Sequence, residues 1–197
     1  MSERAALAGV VVPIRSFTTA NTRLADRLSE SRRADFAREL ATRVVEAATP
    51  LPVIVVTAAA EVRTWADALG IEVIDDPGTG LDGAADAGRT RAIEHGWVRV
   101  IVAHGDLPYA ETLTPLARDL SRPIVALVPC HRDDGTNVCS VPIDVPFRFA
   151  YGPGSFRRHA AEARRLGLGV RVLRRSDLAF DVDVPDDLDY MNATVAT

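Results

Sequence analysis

The sequence predicts an α/β protein with a Rossmann-like core, on the strength of two observations. Apolar runs rich in valine and isoleucine recur along the first two thirds of the chain, and amphipathic helical patterns separate them. The runs are apolar throughout rather than alternating with polar residues, which is typical of strands buried on both faces of a parallel sheet. Strands that alternate with helices favour a doubly wound sheet with helices on both sides.

The predicted strands of this core are short and are each followed by turn or helix signals. They cover Gly9–Ile14, Val53–Thr57, Ile71–Asp75, Val98–His104 and Ile124–Pro129.

The predicted helices of the core have recognisable start and stop signals. Ser29 is the N-cap of the first helix, in which apolar residues follow at three- and four-residue spacing. The next two helices end before Gly70 and Gly96, which occupy the C-cap position. The second and third helices are predicted at Glu61–Leu69 and Gly83–His95, and a fourth helix is predicted at Glu111–Leu120.

The last third of the chain changes character and predicts a small antiparallel extension of the sheet. One helix, Ser155–Leu166, lies among three short strand candidates, and a loop containing proline and glycine precedes it. The strand candidates are Val138–Pro142, Val170–Leu173 and Ala179–Val182. Since no linker or repeat interrupts the pattern, we expect residues 1–197 to form a single domain.

Composition and charge exclude several classes of function. The net charge is −4, and no cluster of basic residues interrupts the sequence, which argues against binding to long nucleic acids. No segment approaches the roughly 20 apolar residues of a membrane helix, so we expect no membrane partner. Cys130 and Cys139 have no secretory signal before them, which predicts a reduced, cytoplasmic chain.

An acidic residue marks the end of the fourth predicted strand, in the stretch VIVAHGDLPYA. In open α/β sheets, ligands bind at the carboxyl ends of the strands, near the point where the strand order reverses. Asp106 lies at such an end, where a divalent metal ion is a common partner for a carboxylate in phosphate chemistry. The alternative is that Asp106 caps the following turn or helix.

A second acidic strand end occurs in LAFDVDVPDDLDY. Asp181 and Asp183 alternate along a predicted strand and should therefore point to the same side. Asp186 and Asp187 follow Pro185 and are explained as first-turn residues favoured by the helix dipole. The two strand-end acids instead suggest a Mg²⁺ site shared with substrate phosphates, the alternative being exposed carboxylates on an edge strand.

The loop after the first strand carries arginines rather than a known phosphate-binding motif. It has neither the glycine pattern of dinucleotide-binding folds nor that of a P-loop. Arg15 and Arg23 could clamp the oxygens of a triphosphate, unless they are simply solvated. Farther along, Ser155 begins a helix after Gly152 and Gly154, which suggests an anion site or a plain N-cap.

Together these motifs resemble the guanylyltransferases of coenzyme F420 biosynthesis, called CofC in archaea and FbiD in actinobacteria. The matching pieces occur in family order over almost the whole chain: VVPIRSFTTANTRLADRLS, GDLP, DGTN, FRFAYGPGSFRRHAAEA and DVDVPDDL. The resemblance implies a three-layer, GT-A-like nucleotidyltransferase fold with a mixed sheet. It also implies transfer of GMP from GTP to a small phosphorylated three-carbon acid, such as 2-phospholactate, phosphoenolpyruvate or 3-phosphoglycerate.

The resemblance also implies roles for particular residues. Asp106 and Asp183 would hold Mg²⁺, and Pro13, Arg15 and Arg23 would face the nucleotide. The residues that would bind the acceptor are Thr136, Gly152 and Ser155.

Some positions depart from the family pattern. Asn21 stands where lysine is common, and Asp82, in LDGA, replaces an asparagine near the nucleotide pocket. Both departures could alter nucleotide choice. Three alternatives therefore remain: an active guanylyltransferase, a transferase for another acceptor such as a sugar phosphate, and a binding relative without activity. The oligomeric state is also open, and a homodimer is one alternative, because family members are often dimeric.

Overall fold

The computed structural model describes residues 8–118 and 123–195. Its strands are β1 (Ala8–Pro13), β2 (Val53–Thr57), β3 (Glu72–Asp75), β4 (Arg99–Ala103), β5 (Ile124–Pro129), β6 (Thr136–Pro142) and β7 (Gly169–Val172). Its α-helices are α1 (Glu30–Ala47), α2 (Ala60–Ala68), α3 (Gly80–Glu94), α4 (Ser155–Arg165), α5 (Ser176–Ala179) and α6 (Pro185–Val195). Two short 3₁₀ helices cover Thr22–Leu24 and Thr114–Ala117.

The strands form one seven-stranded mixed sheet in the order β3-β2-β1-β4-β6-β5-β7. Strands β3, β2, β1 and β4 are mutually parallel, and β6 runs antiparallel to both β4 and β5. The predicted α/β class with a mixed sheet is confirmed. The strand order reverses between β1 and β4, so the carboxyl ends of these two strands frame the crevice in which such sheets bind ligands.

Both faces of the sheet are buried, which explains the continuous apolar runs. In β1, Val10 and Val12 pack into a cluster with α1 and α2, whereas Val11 packs on the opposite face with α3 and α4. The result is three layers, with helices on either side of the sheet.

The helix signals at Ser29, Gly70 and Gly96 are confirmed. The Ser29 side chain caps α1 by accepting a hydrogen bond from the Arg32 N–H at 3.4 Å. Gly70 and Gly96 follow α2 and α3 with positive φ angles of 68° and 70°, a conformation that favours glycine at helix ends.

The predicted fourth helix, Glu111–Leu120, is wrong. Thr114–Ala117 forms a single 3₁₀ turn, and Leu120 lies outside the described residues. Leu113 and Leu116 are fully buried, and the Leu113 N–H donates to the Ala47 carbonyl at 2.8 Å. The helical spacing of these leucines therefore reflects packing of an irregular segment against α1.

The last third of the chain departs from the prediction in two ways. The strand expected at Ala179–Val182 does not form: α5 ends at Ala179, and residues 180–182 pair with no strand within residues 8–118 and 123–195. The antiparallel strand β6 lies inside the sheet between β4 and β5, rather than in an extension at its edge, and β7 pairs parallel with β5.

The described helices include none with the length and apolar character needed to cross a lipid bilayer.

Candidate active site

A cavity of about 320 Å³ opens at the reversal point of the strand order. It lies beside the ends of β1 and β4, where the chain leaves each strand for a loop. Its lining includes Pro13, Arg15, Asn21, Arg23, Asp106 and Asp183. Five of these were predicted from the sequence as nucleotide or metal ligands, and the structure brings them to one cavity.

Buried side chains anchor the loop that follows β1. Phe17 is 1% exposed and packs edge-on against Trp65, with ring centroids 5.4 Å apart. Leu24 is fully buried in a small cluster with Val182 and Leu188. The second anchor ties this loop directly to the segment that carries Asp183.

The two loop arginines remain exposed at the cavity. A terminal nitrogen of Arg23 lies 3.9 Å from Asp183 Oδ2, and both side chains are largely exposed to solvent. Arg15 lines the same cavity with its side chain exposed. Both guanidinium groups can therefore reach an anionic ligand without losing a buried partner.

Asp106 has a partly desolvated carboxylate. Its Oδ1 atom is buried and has no hydrogen-bond partner, although the side chain as a whole is 36% exposed. Burial raises the pKa of Asp106 to about 6; the charge of His104 opposes the shift, whereas Asp181 and Asp183 add to it. An oxygen without a hydrogen-bond partner, near two further carboxylates and 4.0 Å from His104 Nδ1, can serve as a ligand for a cation.

Asp181 and Asp183 approach Asp106 although the predicted strand is absent. Asp181 is 9% exposed, and its Oδ1 lies 3.3 Å from His131 Nδ1. Asp183 points into the cavity instead. Asp183 is thus exposed at the cavity, whereas Asp181 is buried and its Oδ1, like that of Asp106, has no hydrogen-bond partner.

Asp187 does more than favour the helix dipole. It is 4% exposed, and its Oδ2 accepts hydrogen bonds from the N–H groups of Asp183 and Val184 at 3.0 and 3.1 Å. Its Oδ1 accepts a hydrogen bond from Arg132 at 2.7 Å. Asp187 thereby fixes the backbone at Asp183.

Within residues 8–118 and 123–195, no group of three or more His, Cys, Asp or Glu side chains is placed to hold a metal ion. A cation at Asp106 and Asp183 would therefore need further ligands from its substrate or from water, which is common for Mg²⁺.

The predicted acceptor residues lie in a second group, where α4 begins. Thr136 and Ser155 are 0% and 1% exposed, and their hydroxyl oxygens are 3.4 Å apart. Gly152 is exposed on the loop above them and has a φ of 94°. In this group, solvent therefore reaches the loop at Gly152, and the hydroxyl groups of Thr136 and Ser155 lie buried beneath that loop.

Asp82, predicted near the nucleotide, is not among the described residues that line the cavity. Its Oδ1 accepts a hydrogen bond from the Tyr151 N–H at 2.6 Å. The Tyr151 ring in turn lies 5.5 Å from that of His104, two residues before Asp106. These contacts connect His104, which is close to the cavity, to the loop that carries Tyr151 and Gly152 before α4.

Sequence reasoning missed His104, Asp187 and His159 as parts of the site. A signal existed for His159, which follows Ser155 by four residues and so shares its helix face. Asp187 offered no signal beyond its place in the first turn of α6. Its hydrogen bonds depend on how the chain bends before Pro185.

Comparison with known proteins places the chain among guanylyltransferases. A sequence profile of the family described as "Guanylyl transferase CofC like" matches residues 8–192. A phosphoenolpyruvate guanylyltransferase from Sphaerobacter thermophilus is 35% identical over 92% of this chain and 90% of its own. A protein of the same name from Rubrobacter xylanophilus is 33% identical over 93% of each chain.

Solved structures share the fold at low sequence identity. A protein described as a nucleotide-diphospho-sugar transferase, from Desulfovibrio desulfuricans, aligns with a TM-score of 0.79 at 17% identity, over 95% of this chain and 87% of its own. A nucleotidyl transferase from a Methanothermobacter species aligns with a TM-score of 0.65 at 15% identity, over 96% and 98% of the two chains. These likenesses confirm the predicted nucleotidyltransferase fold.

Proposed function

Because the chain belongs to the CofC-like guanylyl transferase family, we propose that it transfers GMP from GTP to a small phosphorylated three-carbon acid and releases pyrophosphate. The chain is a nucleotidyltransferase, since its family and its structural neighbours are of that class. The acceptor and the pathway are the parts that we propose.

Phosphoenolpyruvate is the first candidate for the acceptor. The relatives from Sphaerobacter and Rubrobacter carry its name, and each covers nine tenths or more of this chain. 2-Phospholactate and 3-phosphoglycerate are the other candidates, since both also combine a carboxylate with a phosphate. The product would serve coenzyme F420 biosynthesis.

The observation that carries the proposal is the pairing of arginines and carboxylates around one cavity. Arg15 and Arg23 can contact phosphate oxygens, while Asp106 and Asp183 could hold a divalent cation that would offset phosphate charge. Two carboxylates beside these arginines favour an enzyme over a relative that only binds nucleotide or metabolite, since a binding site gains little from two acidic side chains at this position.

The residues present fit a Mg²⁺ ion. Asp106 offers a buried oxygen without a hydrogen-bond partner, and Asp183 offers an exposed carboxylate whose backbone Asp187 holds in place. When bound, Mg²⁺ would neutralise charge on the phosphates.

In the proposed reaction, a phosphate oxygen of the acceptor attacks the α-phosphorus of GTP. The bond from that phosphorus to the oxygen bridging to the β-phosphate breaks, and pyrophosphate leaves with the electron pair. No covalent intermediate with the protein is needed. The work of Arg15 and Arg23 is to hold the anionic reactants in line and to offset their repulsion.

The test is pyrophosphate release by the purified chain with GTP and Mg²⁺, with each of the three acids in turn. We expect release with phosphoenolpyruvate. Asp106→Ala should lower kcat by roughly 10²- to 10³-fold, the scale typical for loss of an electrostatic contact in an active site.

Asp186→Ala is the matched control, because Asp186 is an exposed carboxylate three residues from Asp183. It should leave turnover unchanged. Release with a different acid would change the acceptor, and release with a sugar phosphate alone would replace the substrate class. No release with any acceptor, from a folded chain that binds GTP, would leave a binding relative without activity.

A further inference from the structure

His159 is fully buried between β6 and the loop that precedes α4, and both of its ring nitrogens have partners. Nε2 lies 2.9 Å from the Ala150 nitrogen, and Nδ1 lies 3.0 Å from Thr136 Oγ1. The ring is enclosed by aromatic neighbours, with Tyr151 edge-on at a centroid distance of 4.8 Å and Phe147 at 5.8 Å. This histidine therefore joins the acceptor loop to the strand beneath it.

The partners of His159 determine which nitrogen carries the proton. A backbone N–H can only donate, so Nε2 must accept from Ala150 and carries no hydrogen. Burial, with the nearby charge of Arg158, lowers the pKa of His159 to about 4, so the ring is neutral near pH 7. The single ring proton is then on Nδ1 and is donated to Thr136.

This arrangement has a consequence for the Thr136 hydroxyl. Its oxygen accepts from His159 Nδ1, and Ser155 Oγ donates to it from 3.4 Å. A hydroxyl oxygen that accepts two hydrogen bonds keeps its own proton for a third partner. Thr136 is 0% exposed, so this proton lies beneath the loop that carries Gly152 and is not at the surface.

We propose that His159 is a positioning residue for the acceptor, which holds the exposed loop carrying Gly152 through Ala150 and fixes the buried Thr136 hydroxyl beneath that loop. This inference rests on the proposed function and on the acceptor-binding role that the family resemblance implies for Thr136, Gly152 and Ser155. His159 itself acts through Thr136 and Ala150 and does not touch the reacting atoms.

The first test is a comparison of Michaelis constants in His159→Phe, which keeps an aromatic ring at this position and removes both hydrogen bonds. The KM for phosphoenolpyruvate should rise about tenfold, with the KM for GTP within about twofold of wild type. In His159→Asn, an amide N–H can replace Nδ1 as donor to Thr136, so the acceptor KM should rise less. Arg157→Ala, at an exposed neighbour on the same helix, should change neither constant.

A double variant separates positioning from general damage to the fold. If His159 acts through Thr136, His159→Phe should add little to the acceptor KM once Thr136→Val has removed the hydroxyl. Fully additive effects, or equal rises in the KM for GTP and for the acceptor, would overturn the proposal.

The second test needs no turnover. In the wild-type chain, ¹⁵N chemical shifts of histidine should identify His159 as neutral with its proton on Nδ1 at about pH 7. A proton on Nε2 would contradict the proposal whatever the kinetics show. A wild-type chain that releases no pyrophosphate would instead overturn the proposed function, and the role of His159 with it.

Discussion

At the scale of a single residue, the ionised carboxylate of Asp106 lowers the stability of the ligand-free fold. Its carboxylate is buried on one side and faces two other acids, so ionisation is costly and the pKa rises from the ordinary 3.8 to about 6. Between these two values the folded chain binds more protons than the unfolded chain. Stability is therefore lost as the pH rises through this window, and the loss is complete above it.

Asp106→Asn should consequently raise the melting temperature at about pH 7.5, measured by thermal unfolding with a metal chelator present. At about pH 4.5 about a third of the difference should remain, and it should nearly vanish only at about pH 3, below the ordinary pKa of 3.8, where Asp106 is protonated in both the folded and the unfolded state. Asp186→Asn should lower the melting temperature only slightly and by a similar amount at about pH 7.5 and about pH 4.5, since Asp186 is exposed and acts only through the helix dipole.

An Asp106→Asn variant less stable than wild type at about pH 7.5 would show that ionised Asp106 is not a source of strain in the ligand-free fold. The same variant should lose activity, so the comparison separates the residue's effect on folding from its effect on chemistry.

At the scale of elements, α3 approaches β1 closely because Gly88 has no side chain. A Cβ atom added at Gly88 would lie 2.3 Å from Val11 Cγ1, closer than two carbon atoms can come without displacement. Val11 is fully buried in the strand whose carboxyl end supplies Pro13 to the cavity. The spacing of α3 and β1 therefore bears on the position of the site.

Gly88→Ala should destabilise the chain by about 1–3 kcal/mol through overpacking, despite the better helix propensity of alanine. Denaturant unfolding, followed by circular dichroism, would measure the loss as a lower midpoint. Thr90→Ala, on the exposed face of the same helix, should stay within about 0.5 kcal/mol of wild type. A Gly88→Ala variant as stable as wild type would mean that α3 moves away from the sheet at little cost.

At the scale of the whole molecule, the sheet separates two apolar clusters that meet the two helical layers. Trp65 packs against the cluster on the side of α1 and α2, and Trp97 belongs to the cluster on the side of α3 and α4. These are the chain's two tryptophans, so each can report on one layer.

If residues 1–197 fold as the single domain that the sequence predicts, both layers should unfold together. In Trp65→Phe, where Trp97 remains, the fluorescence midpoint in denaturant should coincide with that from circular dichroism, and the same should hold in Trp97→Phe. Midpoints that separate in either variant would indicate that the two layers unfold independently.

Much of the fold was predictable because its signals are local. Ser29, Gly70 and Gly96 bound helices through interactions within a few residues, and continuous apolar strands reflect burial on both faces. The wrong prediction of a helix at Glu111–Leu120 also came from a local pattern. Leu113 and Leu116 repeat with helical spacing, but both are buried in a segment that contains Pro115 and forms only one 3₁₀ turn.

The sequence by itself determined the α/β class and the family, and it predicted candidate phosphate and metal ligands at strand ends, because residue type and short-range spacing carry that information. Only the tertiary structure decided which residues form hydrogen bonds with one another around the candidate site and which strands pair. The bond from Tyr151 to Asp82 spans 69 residues and that between His159 and Thr136 spans 23. The insertion of β6 between β4 and β5 is likewise a long-range pairing. Such contacts depend on how strands and helices pack, which local patterns do not specify.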